Sequence, residues 1–223
     1  QWGNLTSGTD LIHKAEGKTA HAIGTPLITN SDGTKFGKSE GNAIWLDASM
    51  TSPYAFYQFW LNTDDADVID RIKVFTFLSR KDIEALAEQV ATEPFKRVSQ
   101  RTLAFEVTSL VHGVEATNAA IAASGALFGN GDIADLDATT LEAALRELPH
   151  TTTAKTSLVT QALVDTGLSP SLGAARRSIA EGGVYVNNTK VSSEDETVEP
   201  HVLASGMAVL RRGKKTLAGL FIE

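Results

Sequence analysis

The chain has 223 residues, 42% hydrophobic and 21% charged, with a formal net charge of −7, the make-up of an ordinary folded protein with a sizeable core. It contains no cysteine, which excludes disulfides and thiolate metal sites, and no apolar run approaches the roughly 20 residues of a membrane-spanning helix. The acidity is uneven: residues 1–153 hold twelve Lys and Arg against twenty Asp and Glu, whereas 154–223 hold eight against seven, so a polyanionic partner is not excluded from the tail.

In chain order, a first helix is expected over residues 8–16, capped by Thr6 or Ser7. Pro26-Leu27-Ile28-Thr29 reads as a strand leading into the loop 30–42, where Lys35 and Lys38 stand three apart among Gly33, Gly37 and Gly41. Glycines let the backbone swing, and lysine carries a compact charge on a long stem, so the loop suits a polyphosphate whose charge moves during reaction. Gly37-Lys38-Ser39 invites a P-loop reading, but that motif needs four residues between its glycines and Gly33 to Gly37 leaves three.

Residues 51–127 have helical periodicity. Ser52-Pro53 places a hydroxyl at the cap and proline in the first turn, and Tyr54, Phe56, Tyr57, Phe59 and Trp60 form a stripe expected to be core rather than a base-stacking platform. Further starts are expected at Asp64 or Asp65, at Ser79 with Asp82 in its first turn, and at Pro94, the last running to Val111 before Gly113. Another helix is expected over 115–124. Gly129-Asn130-Gly131-Asp132, a short helix over 140–148 and the run Pro149-His150-Thr151-Thr152-Thr153 read as a mobile linker, 128–156.

The tail, 157–223, reads as helix (158–165, closed by Gly167), helix (opened by Ser169-Pro170-Ser171, ended by Gly182-Gly183), then a small sheet. Val184-Tyr185-Val186 and Lys190-Val191 flank Asn187-Asn188, which tolerates the positive φ of a tight hairpin. Strands over 207–210 and 216–222 are joined by Arg211-Arg212-Gly213-Lys214-Lys215. The acidic run Glu194-Asp195-Glu196 with Glu199 is expected to be a solvated loop, and the five histidines show no metal spacing.

Lys35-Phe36-Gly37-Lys38-Ser39 matches the KMSKS-type loop of class I aminoacyl-tRNA synthetases, in the spelling typical of bacterial tyrosyl-tRNA synthetases. Gln1-Trp2-Gly3-Asn4 resembles the end of that family's DQWGN element. Ile44-Trp45-Leu46-Asp47 and Thr51 to Trp60 resemble the passage from its catalytic domain into its helical domain, and the tail resembles an S4-type RNA-binding module. These pieces occur in the family's order across nearly the whole chain, which therefore resembles the carboxyl-terminal half of a bacterial-type tyrosyl-tRNA synthetase.

The resemblance implies an α/β remnant of a Rossmann-like catalytic domain over 1–50, an all-α anticodon-binding domain over 51–127, the linker 128–156, and an α+β S4-like RNA-binding domain over 157–223. It implies ATP-dependent attachment of tyrosine to tyrosine tRNA through a tyrosyl-adenylate, with ATP entering as its Mg2+ complex and no structural metal. Lys35 and Lys38 would stabilise the departing pyrophosphate, and Ser39 would either hold the closed loop or stabilise its turn. Gln1 would sit beside bound tyrosine. Arg176, Arg177, Lys190, Arg211, Arg212, Lys214 and Lys215 are candidates for the tRNA backbone, each alternatively a solvated charge. Asp64, or Asp65, would either accept from a guanine edge or cap a helix. The HIGH-type motif and the residues that read the tyrosine hydroxyl are not in this sequence, so the chain alone is expected to be inactive. A homodimeric full-length protein, a cytoplasmic location and no membrane contact are also implied. The competing reading is a non-catalytic S4-type RNA-binding protein, which has no need of paired lysines beside Gln-Trp-Gly-Asn.

Overall fold

A computed structural model describes residues 1–31, 33–36, 44–128, 131–213 and 216–223, in two compact units, 1–43 and 44–223. In the first unit, helix α1 spans Trp2–Glu16 and starts six residues earlier than expected. Gln1 occupies the cap position and accepts from Asn4 Nδ2 at 2.7 Å. Thr6 does not cap; its hydroxyl bonds back to the carbonyls of Trp2 and Gly3, a use of a short hydroxyl side chain that is compatible with a helix interior. No residue of α1 is buried. The expected strand at 26–29 is reduced to one antiparallel bridge, Thr29 to Lys35. A ladder needs a neighbouring strand, and among the described residues of this unit only the local turn supplies a partner.

The second unit begins with a helical layer. Helix α2 (Pro53–Leu61) starts as the sequence indicates, with Ser52 Oγ accepting from the Ala55 amide at 3.1 Å. Tyr54, Phe56, Tyr57 and Trp60 are buried, so the aromatic stripe is core. Helix α3 (Val68–Phe75) starts later than Asp64 or Asp65, with Asp67 at its cap position. Helix α4 (Arg80–Thr92) is capped by Ser79, whose hydroxyl also donates to Asp82 at 2.6 Å.

The helix expected from Pro94 is broken. Pro94–Lys96 form a single 3-10 turn, Arg97 adopts the left-handed conformation (φ 49°), and α5 runs from Val98 to His112. A left-handed residue cannot continue a right-handed helix. Arg97 Nη2 meanwhile donates to the Leu61 carbonyl at 2.7 Å, satisfying a free carbonyl at the end of α2. Helices α6 (Val114–Phe128) and α7 (Ala138–Arg146) complete the layer, α2 packing on α5, α6 and α7.

The stretch expected to be a linker is largely structured. His150–Thr153 form β1, which pairs in parallel with β5 (Thr216–Ile222), His150 opposite Gly219 and Thr153 opposite Ile222. Three β-branched threonines suit a strand, and pairing satisfies an edge of β5 that would otherwise lie bare. Helices α8 (Val159–Asp165) and α9 (Leu172–Ala180) follow. Strands β2 (Val184–Val186), β3 (Thr189–Lys190) and β4 (Met207–Arg212) complete a five-stranded sheet of order β1-β5-β4-β2-β3. Asn187 and Asn188 both have positive φ, as the hairpin turn requires.

Helices α8 and α9 cover one face of the sheet, and α7 covers the other at its β5 end. Val184, Val186, Leu210, Ala218 and Leu220 share a core with Val159, Leu163, Ala175 and Ile179 of α8 and α9. On the other face α7 lies against β5, so close that a Cβ added to Gly219 would stand 2.9 Å from Leu145 Cβ and 3.1 Å from the Leu145 carbonyl. Gly219→Ala should therefore force α7 off the sheet and destabilise the unit by about 1–3 kcal/mol; urea unfolding of this variant against wild type measures the loss.

Candidate nucleic-acid interface

The lysine loop is described only in part. Asn30 and Thr34 close a turn through the Asn30 amide and the Thr34 carbonyl (2.8 Å) and through their side chains (2.9 Å). Lys35 follows, exposed, with its backbone in the bridge to Thr29. Lys38 and Ser39 lie outside the described residues. Gln1 is exposed at the start of α1.

Asp64 is exposed and caps nothing with its side chain; its carbonyl accepts from the amides of Asp67 and Val68, each at 3.0 Å. Its carboxylate is therefore at the surface, ahead of α3. Asp65 is committed elsewhere, accepting from the buried Gln100 amide on α5.

The cations of the tail separate by strand parity. Side chains on a strand alternate between faces, and residues directly opposite on paired strands share one. Arg212 lies opposite Val184 on the face toward α8 and α9. Its Nε donates to Ser178 Oγ at 3.1 Å and its Nη1 to the Leu168 carbonyl at 2.6 Å. It is thus a brace between β4 and the two helices rather than a free surface charge. Arg211 lies opposite Tyr185 on the other face, its guanidinium 4.4 Å from the ring centroid. Lys190 lies opposite Tyr185 from β3 and is exposed, its ammonium folded over Gly182 where a Cβ would meet it at 2.6 Å. Gly182 has φ +72° as well, so the turn needs glycine on two grounds.

Arg176 and Arg177 are both exposed on α9. Arg176 Nε is 3.2 Å from Glu194 Oε2, so the acidic run, expected to be solvated, docks in part on this helix. Lys214 and Lys215 lie outside the described residues. The candidates thus form two groups: Arg176 and Arg177 on α9, and Lys190 and Arg211 flanking Tyr185 on the sheet. Tyr185, against Arg211, and Glu194, against Arg176, are the neighbours of these cations to which the sequence reading assigned no such contact. Parity alone could have revealed Tyr185, because adjacent arginines on one strand must take opposite faces.

The acidic loop is fixed at its base. Glu196 accepts from the amides of Ser192 (3.1 Å) and Ser193 (3.4 Å) and contacts His201 Nε2 at 2.7 Å. The His201 carbonyl accepts from Asn187 Nδ2 at 2.6 Å, tying the loop to the hairpin turn. Burial opposes charge on Glu196, but the Ser192 amide, His201 and the Ser193 amide hold its carboxyl below the ordinary 4.5. His112, at the end of α5, has its pKa lowered by burial and meets the Phe56 ring edge-on at 4.8 Å, which assigns it to the helical core. Among the described residues no group of three or more His, Asp or Glu is placed to hold a metal, and no helix is long and apolar enough to cross a membrane.

Comparison with known proteins gives this geometry a family. The family described as "tRNA synthetases class I (W and Y)" matches residues 1–129, more than half of the chain. The chain belongs to that family. Residues 140–218 of this class I synthetase chain match the "Tyrosine--tRNA ligase SYY-like C-terminal domain". A tyrosine-tRNA ligase of Leifsonia xyli is 66% identical over 224 residues, covering 100% of this chain and 51% of that protein. One of Streptomyces avermitilis is 55% identical over 99% of this chain and 53% of its own length. The chain spans about half the length of these curated relatives. A truncated mitochondrial tyrosyl-tRNA synthetase of Coccidioides posadasii, 36% identical, superposes over 54% of this chain and 36% of its own with a TM-score of 0.44.

A carboxylate held below its ordinary pKa stabilises the fold above that ordinary value and ceases to do so as the pH falls through the lowered one. Glu196→Gln should therefore lower the unfolding midpoint by about 2–6 °C at neutral pH. The difference from wild type should shrink as the pH falls below the ordinary 4.5 and through the lowered value, which thermal unfolding at neutral and acid pH measures.

Proposed function

We propose that this chain is the lysine-loop and tRNA-binding part of an enzyme that joins tyrosine to tyrosine tRNA. The observation that carries this reading is identity of 66% to a tyrosine-tRNA ligase across the whole chain, together with the family match over 1–129 and the SYY-like match over 140–218. In the proposed reaction the tyrosine carboxylate attacks the α-phosphorus of ATP, forming tyrosyl-adenylate and releasing pyrophosphate. A hydroxyl at the 3′ end of tRNA then takes the tyrosyl group, and AMP leaves.

No covalent step falls to the protein, so rate comes from positioning and from cations aimed at the charge that develops on pyrophosphate. Lys35 and Lys38 are the proposed cations, Ser39 steadies their loop, and Gln1 borders the tyrosine. ATP arrives as its Mg2+ complex. The helical layer is proposed to meet the anticodon, with the exposed carboxylate of Asp64 as a candidate base contact, and the tail to act as an S4-like clamp on the phosphate backbone. Its contacts are assigned to Arg176, Arg177, Lys190 and Arg211, with Lys214 and Lys215 as further candidates, while the hydrogen bonds of Arg212 favour the bracing role. The full-length protein is proposed to be a cytoplasmic homodimer. The family match over the segment that holds Lys35 and Lys38 favours this reading over a purely RNA-binding protein.

Two measurements test the two halves of the proposal. In the full-length enzyme, Lys38→Ala should slow tyrosine-dependent pyrophosphate exchange on the order of 10²- to 10³-fold with tRNA affinity unchanged; an unchanged exchange rate would remove the loop from the mechanism. Glu194→Gln should free Arg176 and tighten tRNA binding about 2- to 3-fold at low salt, and this gain should vanish when Arg176 is alanine as well.

A further inference from the structure

We infer that Tyr185 is a positioning residue for one phosphodiester of the bound RNA, acting by holding the Arg211 guanidinium over its ring. The inference rests on the RNA-binding reading of the tail and adds a residue and a geometry to it. Tyr185 is the middle member of a row that crosses three strands, Lys190 on β3, Tyr185 on β2 and Arg211 on β4. Direct cross-strand opposition puts the three side chains on one face, the face away from α8 and α9, because Val184, Val186 and Leu210 point into the core shared with those helices.

Two facts distinguish this row from a chance cluster of surface charge. First, the Arg211 guanidinium lies 4.4 Å from the Tyr185 ring centroid, within the range of a cation–π contact. Among the described residues Arg211 has no carboxylate partner, whereas Arg176 on α9 has Glu194. Stacking fixes the plane of a guanidinium without consuming the outward edge that binds a phosphate, and a fixed fork loses less freedom when it does so. Second, Arg211 Nε is buried and makes no hydrogen bond, so the group is held by the ring and by packing rather than by polar partners. A freely solvated arginine would keep that N–H in water.

The row ends at β3, the last strand of the sheet, and α7 covers the opposite end by lying on β5. Lys190, exposed over Gly182, supplies a second cation on the far side of the ring. An anion seated on Arg211 therefore has an aromatic wall beneath the guanidinium. Phosphodiester is the chemistry that matches, since a planar fork binds it through two oxygens.

The test measures tyrosine tRNA binding to the full-length protein at two or more salt concentrations. Tyr185→Phe keeps the ring and should bind within about 2-fold of wild type. Tyr185→Leu keeps apolar bulk without the π face, and Arg211→Lys keeps the charge without the plane. Each should weaken binding about 5- to 10-fold with the salt slope little changed, because the charge at position 211 is kept. Arg211→Lys in the Tyr185→Leu background should add little, because the two residues act together. Unfolding midpoints of all variants exclude misfolding as the cause. Wild-type affinity in Tyr185→Leu would overturn the inference while leaving RNA binding intact. A wild-type protein without affinity for tRNA would overturn the RNA reading itself, and the inference with it.

Discussion

The two-residue period of β4 governs both the stability and the chemistry of the tail. Leu210 and Arg212 face α8 and α9, and Arg211 between them faces away. The inward arginine ties the Leu168 carbonyl, in the turn between α8 and α9, and the Ser178 hydroxyl of α9 to the sheet. The outward one is left to a tyrosine ring. A slip of one residue in the β4 register would exchange these roles, placing an unbonded guanidinium over the core and removing the brace at the same time. Burying a polar group without its partners is far costlier than leaving it in water, so the brace helps fix the register as well as benefiting from it.

The same parity divides the cations that the sequence presents as one basic patch. Arg176 and Arg177 belong to α9, and Lys190 and Arg211 to the sheet face that α9 does not cover. Their electrostatic settings differ too. Glu194 sits against Arg176, while Arg211 is set against an aromatic ring. An acidic loop anchored through Glu196 to two amides and to His201 is a fixed neighbour of the α9 group, not a diffuse screening charge. Net charge conveys none of this, since the balance over 154–223 is nearly even.

Much of the fold was legible because it follows from local chemistry. Ser52-Pro53 and Ser79 with Asp82 start helices where the hydroxyls accept from amides three residues on, Gly113 and Gly167 close two others, and Asn187-Asn188 turns the hairpin. Several misreadings arise where tertiary partners decide. Asp64 and Asp65 look like caps, but the chain makes one more turn before α3 starts at Val68. Arg97 looks like an ordinary helical residue, and only the Leu61 carbonyl, far away in sequence, explains its left-handed break. Pro149 to Thr153 looks like a linker because threonines are polar, yet their β-branching lets β5 recruit them as a strand. In the candidate site, residue types and spacing single out Lys35 and the arginines of the tail as candidates, but spacing along a chain could not say that Arg212 faces inward or that Tyr185 underlies Arg211.

The parallel pairing of β1 with β5 also sets an order of events. His150 meets Gly219 across a separation of roughly seventy residues, a long-range contact of the kind that forms late. During synthesis the threonine run therefore leaves the ribosome well before its partner exists, and α7 emerges with no Gly219 to lie against. Helices α8 and α9 and the β2–β3 hairpin can gather in that interval, but the sheet stays open until β4 and β5 arrive. Joining of the helical layer to the tail is thus tied to β5, so a chain that stopped short of it would carry its helices without the finished sheet on which Lys190, Tyr185 and Arg211 line up.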